Sequence, residues 1–103
     1  MSAMKLDGYQ RRYLRGIGHH LKPLVQVGKA GLSPSLLAAV DEALESHELI
    51  KVRLAGDKAE KKEMISTLED RLDCAEVGMI GHVVTLYREQ PEPSERKITL
   101  PVR

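Results

Sequence analysis

Tryptophan and phenylalanine are absent from this chain, and three tyrosines are its whole aromatic content. A nucleic-acid surface built by stacking bases on aromatic rings is therefore excluded. A single cysteine, Cys74, excludes an internal disulfide framework and a thiolate-cluster metal site. No apolar run approaches the roughly 20 residues of a membrane-spanning helix, so no membrane partner is expected. Met1 to Gly8 lacks the apolar stretch of a secretory leader. These absences predict a protein of reducing, cytoplasmic surroundings. Net charge is nearly lacking as well. The 16 Lys and Arg stand against 15 Asp and Glu, for a formal +1. That balance excludes a polybasic, tail-like binder on charge alone.

What is present is an ordinary globular composition. With 103 residues, 42% apolar and 30% charged, the chain predicts one domain around one core. The even net charge hides a segregation. Residues 1 to 31 carry Lys5, Arg11, Arg12, Arg15, Lys22 and Lys29 against Asp7 as their acid, with His19 and His20 alongside. Residues 32 to 50 carry Asp41, Glu42, Glu45 and Glu48 and neither Lys nor Arg. A neutral protein so arranged can present a basic field on one side.

Periodicity places the elements. Residues 6–18 read as a helix. At about 100° per residue, Leu6, Tyr9, Tyr13, Leu14 and Ile17 share one arc, and Arg11, Arg12, Arg15 and His19 the opposite one. Tyr9 and Tyr13 are thus expected in the core. Pro23 forces Lys22 toward extended geometry, and Leu24–Val27 reads as a short strand stopped by Gly28. Ser33 is a good N-cap and Pro34 suits a first helical position, so a second helix runs over about residues 34–46. Its apolar face holds Leu36, Leu37, Val40 and Leu44, and its polar face Asp41, Glu42 and Glu45. His47 and Glu48 make a short connection. Leu49–Leu54 alternates, with Ile50, Val52 and Leu54 one way and Lys51 and Arg53 the other, as a half-buried strand does.

A third helix follows over about residues 57–72, capped by Asp57. Met64, Ile65, Leu68 and Leu72 form its buried face. Lys61 lies among them, its stem covering apolar surface and its amine reaching water. Ala75–Ile80, the turn at Gly81-His82 and Val83–Tyr87 make a hairpin. Residues 89–96 are loop by composition. Ile98–Leu100 adds a short strand or packs as a tail. The predicted class is α/β: a two-layer sandwich with a four-stranded mixed sheet and three helices in the order α-β-α-β-α-β-β. Its core spans about residues 6–88, with a loop and tail over 89–103.

The sharpest local motif is Gly28-Lys29-Ala30-Gly31, between the first strand and the second helix. Glycines bracketing a basic and a small residue let backbone approach a ligand closely. The helix that follows opens with free N–H groups. Such a GxxG loop can clamp nucleic-acid backbone. It lacks the span and the Lys-Ser/Thr ending of a Walker loop, and the third glycine of a dinucleotide fingerprint. No two histidines have the i, i+4 spacing of a helical zinc motif, so no metal site and no cofactor is expected. Cys74 reads as a small buried hydrophobe, its acidic neighbours Asp73 and Glu76 raising rather than lowering its pKa. Nothing orders a nucleophile against a base, and an enzyme is not expected.

Three blocks together resemble a known family. Residues 21–33 (LKPLVQVGKAGLS), 43–52 (ALESHELIKV) and 80–88 (IGHVVTLYR) are similar to the signature of CRM domains, named for chloroplast RNA splicing and ribosome maturation. The likeness runs from about Tyr9 to Leu100, and among CRM proteins it points to the bacterial stand-alone, YhbY-type members. It implies a four-stranded sheet with three helices, related to the C-terminal domain of bacterial initiation factor three. It implies RNA binding through the loop and nearby basic residues, and association with precursors of the large ribosomal subunit. Carried to this chain, the loop is Gly28, Lys29, Ala30 and Gly31. Ala30 stands where the family often has a polar residue, and Ser33 where it often has Thr.

The expected RNA-binding set is therefore Gly28, Lys29, Ala30 and Gly31, with Arg11, Arg12, Arg15, His19, Lys22, Lys51 and Arg53 on the basic side. The expected partner is ribosomal RNA of the large-subunit precursor, with ribosomal proteins as further partners. A rival reading makes the chain an adaptor, its acidic second helix docking a basic ribosomal protein.

Overall fold

The computed structural model describes residues 6–101. Lys5, the rest of the stretch before Leu6 and the last two residues of the tail lie outside the described residues. Helix α1 covers Gly8–Gly18, β1 Pro23–Gln26, α2 Pro34–His47, β2 Leu49–Arg53, α3 Lys58–Leu72, β3 Ala75–Ile80 and β4 Val83–Tyr87. A 3-10 turn, Pro93–Glu95, interrupts the loop beyond β4.

The helices start where their caps dictate. Ser33 Oγ accepts from the Leu36 N–H at 3.2 Å. Asp57 Oδ1 accepts from the Glu60 N–H at 2.8 Å, and Glu60 Oε1 accepts from the Asp57 N–H at 3.0 Å, a reciprocal capping box. At α1 the Asp7 N–H donates to Gln10 Oε1 at 3.1 Å, which sets the start two residues inside the apolar stripe.

The strands form one sheet in the order β1-β2-β4-β3. β1 runs parallel to β2, and the other two pairings are antiparallel. The class, the element order and the mixed sheet are as expected. The layering is refined. Ile50, Val52, Leu54, Val84 and Leu86 face one way into a core with Val40 and Leu44 of α2 and Ile65 and Leu68 of α3. Leu49, Tyr87, Ala75 and Val77 face the other way, into a smaller core with Leu6 and Leu14. Helices thus lie on both faces, α2 and α3 on one and α1 on the other, giving three layers where two were expected. The cause is visible at the start of β2. Leu49 and Ile50 are adjacent and point to opposite faces, so both faces need a cover there. Ile98 and Leu100 pack on the α1 core as a tail.

Three side chains depart from expectation. Tyr13 is 43% exposed and Tyr9 half-buried, where both were expected in the core. The helix turns Leu14 and Gly18 to the sheet instead. A Cβ on Gly18 would stand 3.3 Å from Thr85 Cγ2, so glycine lets α1 settle close on β4 and rolls Tyr13 outward. Lys61 lays its stem among apolar residues as expected, but its amine does not run to water. Nζ lies 2.8 Å from His82 Nδ1 and 3.5 Å from the Gly81 carbonyl, tying α3 to the hairpin turn.

Candidate nucleic-acid interface

Cross-strand register sets the site. On the α1 face the sheet presents three rows. The first, Leu49, Tyr87 and Ala75, is buried under α1. The second is Pro23, Lys51, Thr85 and Gly78. The third is Gln26, Arg53, Val83 and Ile80. α1 ends over the second row and leaves the third open. Between them lies a cleft of about 510 Å³, lined by Arg15, His19, Lys51 and Arg53 over Pro23, Val83 and Ile80. No carboxylate lines it among the described residues. Neither Lys51 nor Arg53 has an ion-pair partner among them. Cations gathered over a low-dielectric floor without counter-charge focus a positive potential outward.

The cleft leads to the glycine loop. Gln26 pairs with Arg53, and the Val27 N–H donates to the Arg53 carbonyl at 2.8 Å. One residue later the chain turns. The Gly31 N–H donates to the Gly28 carbonyl at 3.0 Å, closing a turn with Lys29 and Ala30 at its tip. Gly31 has φ +81°, a left-handed conformation that side chains disfavour. Lys29 and Ala30 are exposed, and the loop borders a second cleft of about 620 Å³ against α3. Glu60 and Glu63 line that cleft, so the side of the loop facing α3 is acidic and the side facing β2 basic.

The remaining basic positions separate by role. Arg12, His19 and Lys22 are exposed. Arg11 is half-buried, and its guanidinium donates to the Leu6 carbonyl at 2.9 Å and the Glu76 carbonyl at 3.3 Å. Arg15 donates to the Val77 carbonyl at 3.4 Å from the edge of the cleft. Arg11 and Arg15 thus fasten α1 to β3 as well as adding charge.

The family model for the CRS1/YhbY (CRM) domain matches residues 6–88. The chain belongs to the CRM family. A Haemophilus influenzae protein named RNA-binding protein is 44% identical over 98 residues, covering 93% of this chain and 95% of that one. The Bacillus subtilis protein YqeI, named a probable RNA-binding protein, is 38% identical over 97 residues, covering 93% and 99%. The solution structure of SAV1595 from Staphylococcus aureus, described as a hypothetical protein and RNA-binding candidate, superposes with a TM-score of 0.81 at 37% identity. It covers 94% of this chain and all of that one.

The geometry of this CRM domain adds Ile80 and Val83 to the residues read from the sequence. Val83 flanks Arg53 on the open row and Ile80 lies beyond it on β3, and the alternation of β4 already points Val83 that way. Among the described residues no His, Cys, Asp and Glu cluster could hold a metal, and no helix is long and apolar enough to cross a membrane.

Proposed function

We propose that this CRM protein binds RNA, that its target is ribosomal RNA of the large-subunit precursor, and that it assists ribosome assembly in the cytoplasm. The observation that carries the reading is the carboxylate-free cleft of Arg15, His19, Lys51 and Arg53 leading along β1 to the glycine loop. Backbone phosphates lie along the cations, with Arg12 and Lys22 at the margins. The Gly28–Gly31 turn presents N–H groups and Lys29 to one further phosphate. Arg11 contributes chiefly by holding α1 in place. Contacts of this kind supply affinity and orientation, and RNA shape supplies selectivity.

The adaptor reading has less to support it. Arg88 lies 2.7 Å from Asp41 and 3.3 Å from Glu45, so two of the three carboxylates of the α2 face are already engaged. Ribosomal proteins stay in the proposal as neighbours on the particle.

The test is a salt titration of RNA affinity. Lys29→Asp should weaken binding and lower the log–log salt slope by about one unit, as loss of one phosphate contact does. A folded Lys29→Asp protein with wild-type affinity would overturn the mechanism. Co-sedimentation of the protein with large-subunit precursors at low salt, lost at high salt, tests the target. Migration at the top of the gradient at both salts would overturn it.

A further inference from the structure

The open rows of the sheet carry more than charge. Ile80 is 82% exposed, an unusual setting for a branched aliphatic side chain. It sits opposite Val83, which sits opposite Arg53 on the same face. Ile80 therefore joins no core and stands at the rim of a cationic cleft. Nucleotides have this double character: a flat, weakly polar base joined to an anionic phosphate.

We propose that the cleft is a subsite for one unpaired RNA nucleotide, with its base against Ile80 and Val83 and its phosphate between Lys51 and Arg53. The inference rests on the RNA-binding reading and deepens it. A fully paired helix could offer phosphates to Lys51 and Arg53, but its base faces are covered by their neighbours and nothing flat would reach Ile80. An extruded or looped nucleotide offers both. The volume of about 510 Å³ lies within the roughly 300–1,000 Å³ of sites that enclose small ligands. Charge complementarity favours RNA over an acidic or apolar protein segment. Arg15, Lys51 and Arg53 line one cleft with Ile80 and Val83, without a carboxylate among the described residues. No tyrosine lines the cleft, so beside the His19 ring the contact at Ile80 and Val83 is aliphatic. It favours exposed bases over paired ones without choosing strongly among the four.

The experiment compares two fluorescently labelled RNA hairpins of equal length, one fully paired in its stem and one with a short bulge. Anisotropy titrations use the full chain. Wild-type protein should prefer the bulged RNA, and Ile80→Ser should reduce that preference by about tenfold, the scale of one lost apolar contact. The salt slope should hold, because no ion is lost. Methyl NMR gives a reading independent of the variant: the Ile80 and Val83 methyl signals should shift on adding bulged RNA. Binding of both RNAs with no preference, or a preference that survives Ile80→Ser with still methyl signals, would overturn the subsite and leave RNA binding intact. Failure of wild-type protein to bind either RNA at low salt would overturn the RNA-binding reading and the subsite with it.

Discussion

Arg15 lies across Gly78. A Cβ at position 78 would stand 3.0 Å from Arg15 Cδ, closer than side chains normally approach. The register shift between Glu76 and Gly78 makes room there, and the Val77 carbonyl accepts from Arg15 Nη1 at 3.4 Å. Gly78 thus keeps a groove for the arginine stem at the edge of the cationic cleft. Gly78→Val should fold, since valine favours strands, yet displace Arg15. RNA affinity should fall on the order of a few-fold, up to the loss given by Arg15→Ala. The double variant should bind no more weakly than Arg15→Ala alone. Anisotropy titrations of the four proteins close the cycle, and additive losses would show the two positions to be independent.

Glu48 anchors the chain beyond β4. It has no exposed surface, and its carboxylate accepts N–H bonds from Lys97 at 2.7 Å, Gln90 at 2.8 Å and Ile98 at 2.9 Å. It also ends α2 with φ +64°, its own N–H donating to the Leu44 carbonyl at 2.9 Å. Three charge-assisted bonds compensate for burying the anion. Glu48→Gln replaces one acceptor oxygen by a donor that faces other donors. Urea unfolding should show a loss of about 2–4 kcal/mol. Limited proteolysis should cut the segment from Gln90 to Leu100 faster than in wild type. RNA affinity of the folded fraction should change little, because Glu48 lies at the opposite end of β2 from Arg53.

These two positions show what a local reading can reach. The alternation of Ile50, Val52 and Leu54 with Lys51 and Arg53 is a property of neighbouring residues, so the basic face of β2 was legible. So were the caps at Ser33 and Asp57, and the glycine loop. Glu48 looked like a connecting acid because its partners Lys97 and Ile98 lie 49 and 50 residues away. Arg88 is likewise tied across the chain, to Asp41, 47 residues back. Tyr13 was misplaced because a helical wheel gives the apolar arc but not which part of it meets the sheet, and Gly18 decides that. Ile80 escaped because the register shift in β3 breaks the alternation that runs from Ala75.

Tyr87 offers a test of core energetics. It is fully buried between Leu49 and Ala75, and among the described residues its hydroxyl has no hydrogen-bond partner. Burial first, then the charges of Glu89 and Glu48, push its phenol above the ordinary tyrosine range. An unsatisfied buried hydroxyl costs stability that removal can recover. Tyr87→Phe should leave stability unchanged or raise it by up to about 1 kcal/mol. Thermal and urea unfolding measure this, and a loss above about 1 kcal/mol would show that the hydroxyl is satisfied in solution.

Cys74 makes stability depend on alkaline pH. Burial first, then the charge of Glu69, push its thiol from 9.0 up to about 12, while Arg88 acts the other way. The Sγ–H donates to the Leu68 carbonyl at 3.5 Å, so the native site holds the proton. A thiol whose pKa rises on folding binds its proton more tightly in the native state. Below the ordinary value both states keep the proton, and the native fold has its full advantage. As pH rises past 9.0 the unfolded chain releases the proton and the native chain does not, so the advantage shrinks until the native thiol ionises near 12. The slope is at most about 1.4 kcal/mol per pH unit. Urea unfolding from pH 7 to 10 should show a plateau and then a decline beginning near pH 9, with a shallower decline in Cys74→Ala. The same shielding predicts that iodoacetamide at pH 8 leaves the native thiol unmodified and alkylates it once urea unfolds the chain. Rapid alkylation of the native protein would show that the Cys74 site opens far more readily than its packing implies.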